Sequence, residues 1–238
     1  MTLILGLGNK ARHGKDSFAT AIDAHYAMLG ATAGKHGLTG YKPVVVQHHA
    51  FADALYREVN AWLSTEEGRF WASGSYTYLA FIPAVVNDVA DGRYAIPSWV
   101  QPDLMPEVSA RAPYGKHAKL LQWWGTEYRR AQDPLYWVKQ WEAGINPKAN
   151  IVMATDMRFL NEAAAVKEIG GFTIQVNRKN ADGTPFVDPS RDPNHASETE
   201  LDRYNFDFQI TAKTGDLVLL EEWAITLVHY LRALKGHK

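Results

Sequence analysis

An apolar run, Thr2-Leu3-Ile4-Leu5-Gly6-Leu7, leads directly into Gly8-Asn9-Lys10-Ala11-Arg12-His13-Gly14-Lys15-Asp16-Ser17. That loop opens a stretch of helical spacing, Lys15–Leu29, with Phe18, Ile22, Tyr26 and Leu29 on one face. A buried strand, a basic glycine-flanked loop and a helix, in that order, constrain this chain more than any other feature. Main-chain N–H groups turned into such a loop, together with a helix N-terminus, can hold phosphate. Gly14 would let the backbone approach closely. Lys10 and Arg12 would add positive charge, and Lys15 would reach the outer phosphates as a mobile point charge. Ser17 would offer a hydroxyl to Mg²⁺ or phosphate.

The motif departs from G-x-x-x-x-G-K-[ST] in two places. Asn9 stands where the first glycine belongs, and Asn is the residue best able to share glycine's positive-φ conformations. Asp16 stands where a hydroxyl normally meets Mg²⁺, so the metal ligand stays open between Asp16, Ser17 and Asp156 acting through water. A glycine turn into a charged helix is the structural alternative. A loop that binds phosphate without catalysis is the other.

Beyond the loop, further strands are expected at Pro43–Gln47, Asn150–Ala154, Phe172–Asn177 and Asp207–Thr211. Helices are expected at Phe51–Leu63, His117–Ala143 (interrupted near Asp133-Pro134), Asn161–Ile169, Ser197–Tyr204 and Asp216–Leu234. Gly30–Lys42 reads as a connection, Ser64–Pro113 as an irregular, partly helical insertion and Arg178–His195 as a mobile polar loop. Strands alternating with helices predict an α/β fold with a parallel sheet covered on both faces. The 238 residues fit one domain: a core of 1–50, 145–178 and 205–238, an insertion over about 51–144, and a lid-like loop over about 178–204.

With no cysteine, disulfides, thiolate metal sites and a cysteine nucleophile are excluded, which agrees with a cytoplasmic protein. The net charge of −1 gives no bulk attraction to nucleic acid or anionic membrane. No segment is apolar for long enough to span a bilayer, and the amino terminus lacks the pattern of a signal peptide.

Two further groups of residues carry chemistry. In Lys119-Leu120-Leu121-Gln122-Trp123-Trp124-Gly125-Thr126-Glu127-Tyr128-Arg129-Arg130, helical spacing places Gln122, Thr126, Arg129 and Arg130 along one side. Gln122 could meet a base edge, Thr126 could offer a hydroxyl, and an Arg fork could grip a phosphate. Trp137 could stack on a base. An amphipathic surface helix is the alternative. In Thr155-Asp156-Met157-Arg158-Phe159-Leu160-Asn161-Glu162, a strand ends in a carboxylate where α/β sheets gather ligands. Asp156 could assist Mg²⁺ or the acceptor, Arg158 could grip a phosphate, and Glu162 could orient Arg158. The alternative is Asp156 as a helix cap with a surface Arg–Glu pair. Ser197 and Glu200 read as a capping box, and Arg178 or Arg191 as a lid arginine.

Gly-Lys-Asp-Ser after the first strand and Phe51-Ala52-Asp53 after the second begin a recognisable order. It continues with Leu-Gln-x-x-Gly-Thr-Glu-x-x-Arg, Asp-x-Arg-Phe-x-Asn-Glu and His-x-Ser-Glu. Together these motifs resemble the deoxynucleoside monophosphate kinases of tailed bacteriophages over most of the chain. The resemblance is weakest over residues 64–113. It implies a P-loop kinase fold with core, nucleotide-monophosphate-binding and lid parts, and the use of ATP and Mg²⁺ to make deoxynucleoside diphosphates in the host cytoplasm. It would assign Lys15, Asp16 and Ser17 to the phosphate loop. Lys119, Gln122, Gly125, Thr126, Arg130 and Trp137 would hold the acceptor, completed by Asp156, Arg158 and Glu162. His13 replaces the small hydroxyl residue the family often carries before Gly-Lys. The expected partners are small nucleotides, with no nucleic acid or membrane, and a homodimer is left open. A kinase for another phosphorylated acceptor (of dephospho-coenzyme A or phosphomevalonate type), a nucleotide-binding switch or ATPase module, and a scaffold with a decayed loop are the rival readings.

Overall fold

The computed structural model describes residues 2–8, 10–74, 85–88, 92–189 and 193–236. In chain order its strands are β1 (Leu3–Gly8), β2 (Val46–His48), β3 (Val85–Asp88), β4 (Gly92–Ala95), β5 (Glu107–Ser109), β6 (Ala112–Lys116), β7 (Ile151–Met157), β8 (Phe172–Lys179) and β9 (Phe208–Lys213). Its α-helices are α1 (Lys15–Lys35), α2 (Asp53–Leu63), α3 (Glu66–Ala72), α4 (Ala118–Trp123), α5 (Tyr136–Ala143), α6 (Leu160–Glu168), α7 (Ala196–Thr199) and α8 (Leu217–Leu234), with a π-helical segment at Trp124–Arg130. The chain divides into two compact units. One is Met1–Phe51 with Trp141–Lys238, and the other is Ala52–Gln140.

The first unit is an α/β layer structure. Its five strands run parallel in the order β2-β7-β1-β8-β9. Leu3, Leu5 and Leu7 alternate along β1 onto one face and join Ile151, Met153, Ile174, Val176 and Ile210. Phe18, Ile22 and Tyr26 of α1 and Leu220, Ala224, Val228 and Leu231 of α8 close that face. On the other face a side chain on Gly6 would meet Met157 at 2.8 Å and Val166 of α6 at 3.0 Å. Glycine there lets α6 lie close to the sheet. From β1 the chain crosses to the edge strand β2, returns at β7 and then passes to β8 on the other side of β1. The winding reverses at β1, so the carboxyl ends of β1 and β7 mark the topological switch point, the place where open α/β sheets generally bind ligands.

Several local expectations need correcting. The helix α1 continues through Gly30 and Gly34 to Lys35, where a connection was expected from Gly30. Ala31 and Ala33 carry helical propensity across the glycines, and Ala33 is buried. The second strand is Val46–His48 rather than Pro43–Gln47, because proline has no N–H to pair. The second unit contains the short helix α3 and two antiparallel hairpins, β3–β4 and β5–β6, in the stretch read as irregular and partly helical.

The core of the second unit is aromatic. Trp62, Trp71, Trp123, Trp124, Tyr128 and Trp137 pack with Leu63, Leu120 and Val59. Trp123 stacks on Tyr128 with ring planes 7° apart and centroids 5.4 Å apart.

Candidate functional site

The loop between β1 and α1 takes its shape from two residues with positive φ, Arg12 (57°) and Gly14 (97°). Arg12 shares the left-handed region that Gly14 occupies freely. A side chain on Gly14 would also meet Leu220 at 3.1 Å, a tight contact that adds to the cost of its positive φ. Asn9 lies outside the described residues. Gly14 caps α1 without a side-chain bond, leaving the first turn of the helix at the loop.

Lys15 is buried, and its Nζ donates to the carbonyl of Lys10 at 2.5 Å. Burial first, then the Arg158 guanidinium, pushes the Lys15 amine down to about 8, while Asp16, Asp156 and Glu198 pull the other way. His13 is buried beside it, with its ring edge against Phe186 at 5.7 Å. Its Nδ1 accepts the Arg178 main-chain N–H at 3.2 Å, and burial followed by the Lys15 charge pushes the imidazole down to about 4. Asp16 is exposed and Ser17 half-buried on the first turn of α1.

The β7 end supplies the second half of the arrangement. Asp156 is the penultimate residue of β7, and its Oδ1 accepts the Phe51 N–H at 2.8 Å. It does not cap α6, whose N-cap is Phe159. Glu162, buried on the first turn of α6, accepts the main-chain N–H groups of Arg158 (2.7 Å) and Phe159 (3.2 Å) through Oε2. Glu162 was expected to orient Arg158, and the bond it makes is to the Arg158 main chain, because an N3 carboxylate on an α-helix reaches back to the orphan N–H groups. The Arg158 guanidinium pairs through Nη1 with Glu198, and with the Ser197 carbonyl at 3.3 Å.

Glu198 entered the sequence reading only as the last residue of His-x-Ser-Glu, with no role assigned. It is buried, and its second oxygen accepts the Ala11 N–H of the loop at 3.3 Å. Ser197 and Glu200 do not form the expected capping box. His195 caps α7, and Glu200 accepts the Leu160 N–H at 2.8 Å. Ser197 lies inside α7, past the N-cap, so its hydroxyl is not placed to accept the N3 N–H that a capping box needs. Around the loop, Lys10 pairs with Asp202 at 3.2 Å and Arg12 with buried Asp188 at 3.4 Å.

The chain matches no known family model, and no curated protein matches it in sequence.

Of the two lid candidates, Arg191 lies outside the described residues. Arg178 sits in β8, its guanidinium over the Phe186 ring at 4.2 Å and its Nε bonded to Thr214 Oγ1 at 2.8 Å. Among the described residues, no three His, Asp or Glu side chains gather as a metal cage, and no helix is long and apolar enough to cross a membrane.

In the second unit, Lys119 and Gln122 are exposed on α4, and Thr126 and Arg130 are half-buried. Gly125 is buried; a side chain there would meet Leu55 at 3.2 Å. Trp137 was expected to offer a stacking face. The structure places its ring in the aromatic core, and its indole N–H bonds the Gly125 carbonyl at 2.9 Å. The expected α-helical spacing from Gln122 to Arg130 gives way to π-helical winding, in which the Ala131 N–H reaches Thr126. Such insertions favour functional segments. Glu58 was also missed. Its carboxylate collects Trp124 Nε1 (2.9 Å), Arg129 Nε (2.8 Å) and the Tyr136 hydroxyl (2.5 Å). Asp53 pairs with Arg111 at 2.9 Å.

Proposed function

We propose that the chain is an ATP-dependent phosphotransferase of the P-loop kinase kind, acting on a deoxynucleoside monophosphate. The observation that carries this reading is the folding of the buried Lys15 amine onto the carbonyl of Lys10, inside a loop shaped by Gly14 and Arg12. A lysine held there, at the switch point of a parallel sheet, is poised to exchange a carbonyl for the outer phosphates of a nucleotide. Asp156 and Arg158, from the neighbouring strand end, supply a carboxylate and a fork beside the same charge field.

In this reading a phosphate oxygen of the acceptor attacks the γ-phosphorus in line. The bond to the β,γ-bridging oxygen breaks, and ADP leaves as the deoxynucleoside diphosphate forms. Lys15 and Arg158 neutralise the charge on the transferring group. Mg²⁺ would arrive with the nucleotide and needs only one or two protein oxygens. The exposed Asp16 carboxylate and the Ser17 hydroxyl on the first turn of α1, or Asp156, fit that requirement. Bound there, the ion would neutralise phosphate charge. The resemblance gives Lys119, Gln122, Gly125, Thr126, Arg130 and Trp137 of the second unit to the acceptor nucleotide. Lys119 and Gln122 are exposed and in this reading would contact the acceptor directly, while buried Trp137 would act by holding Gly125.

A coupled assay of ATP against a panel of deoxy- and ribonucleoside monophosphates tests the reading. Turnover with one or more deoxynucleotides supports it. ATP hydrolysis indifferent to every acceptor overturns the kinase assignment, and absence of ATP binding overturns the loop assignment.

A further inference from the structure

We infer that Glu198 is a positioning residue that sets which edge of the Arg158 fork is presented to phosphate. This rests on the phosphotransfer reading above. Glu198 is buried, and one of its oxygens holds Arg158 Nη1 while the other holds the Ala11 N–H of the loop. The Ser197 carbonyl takes Nη1 as well. Among the described residues, Nε and Nη2 of Arg158 carry no hydrogen bond, and these two nitrogens form the side-on edge of the guanidinium. That edge offers two parallel N–H donors spaced for two oxygens of one phosphoryl group.

Glu198 therefore does two jobs with one carboxylate. It fixes the rotation of a planar fork that would otherwise turn about a flexible stem. It also ties that fork to the loop carrying Lys15, so the two cations keep one spacing. The cost of leaving such a carboxylate buried is offset by the two bonds it accepts. A cation that stabilises a transferring phosphoryl group loses much of its effect when misplaced by about 1 Å.

The test uses the full chain. Glu198→Ala should lower kcat with ATP and the best deoxynucleotide acceptor by about 10- to 100-fold, with a smaller change in KM. Glu198→Gln keeps the acceptor atom and the shape, should fold as the parent does, and should fall between the two. Glu198→Asp should recover part of the loss. The deciding measurement is the Arg158→Ala background: if Glu198 works through Arg158, adding Glu198→Ala there lowers kcat no further. Losses that multiply in the double variant overturn the inference, as does wild-type kcat in both Glu198→Ala and Glu198→Gln. Calorimetric titration with inorganic tripolyphosphate separates the two levels. A parent protein that binds no tripolyphosphate and transfers no phosphate overturns the functional reading itself. A parent that does both, with additive variants, overturns only the role of Glu198.

Discussion

The imidazole of His13 accepts the main-chain N–H of Arg178 through Nδ1 at 3.2 Å, joining the loop after β1 to the end of β8. That bond requires an unprotonated Nδ1, and burial keeps the ring neutral down to about pH 4. The unfolded chain takes up this proton near 6.5. The contribution of His13 to stability is thus fully present above 6.5 and is lost as pH falls towards 4. Urea midpoints between pH 7 and 4 should drop by the equivalent of about 1–3 kcal/mol, and His13→Gln should flatten the part of that slope due to this residue.

The buried Lys15 amine gives the same sign in a more alkaline window. Its folded value of about 8 lies below its ordinary 10.5, so the folded state releases the proton first and stability rises with pH across that interval. Function should run the other way. In the proposed kinase, kcat/KM for ATP should decline above about pH 8 as the free enzyme loses its loop cation. Lys15→Ala should remove at least about 100-fold of transfer rate while far-ultraviolet circular dichroism stays unchanged. Wild-type turnover in that variant would refute the loop assignment.

Gly14→Ala places a side chain at a φ of 97° and within 3.1 Å of Leu220. Left-handed strain alone is worth about 1–2 kcal/mol. The melting temperature should fall by several degrees, and ATP affinity should fall with it, because the same residue shapes the loop and begins α1.

Glu58→Ala strips the common acceptor from Trp124, Arg129 and the Tyr136 hydroxyl. Leaving a half-buried guanidinium and two aromatic donors without it should cost about 2–4 kcal/mol. Tryptophan fluorescence, dominated by the core of the second unit, should report unfolding at lower denaturant than in the parent. Glu58→Gln should restore part of the difference.

What the sequence disclosed and what it hid follow from the range of each interaction. The strand, loop and helix at the amino end are written in adjacent residues, with Leu3, Leu5 and Leu7 alternating and Phe18, Ile22 and Tyr26 recurring at helical spacing. The parallel sheet followed from strands alternating with helices. Glu58 escaped notice because its partners lie 66, 71 and 78 residues further on. Glu198 sits among residues that mimic a local cap, while its real partners lie 40 and 187 residues away. The π-helical turn at Trp124–Arg130 was masked by tryptophans and tyrosines that satisfy a 3.6-residue period equally well. The hairpins β3–β4 and β5–β6 are short, and the β5 strand is exposed along its whole length, so no alternation of apolar and polar residues announces it.

Phe51 and Trp141 stack with their ring centroids 4.5 Å apart, although 89 residues of the other unit, Ala52–Gln140, separate them in the chain. The parallel sheet is therefore clasped shut at the point where that excursion departs and comes back. A short glycine-rich bridge could span such a gap, so the excursion is a graft site: it can be lengthened, shortened or exchanged in a laboratory or a lineage without rethreading the strands beneath it.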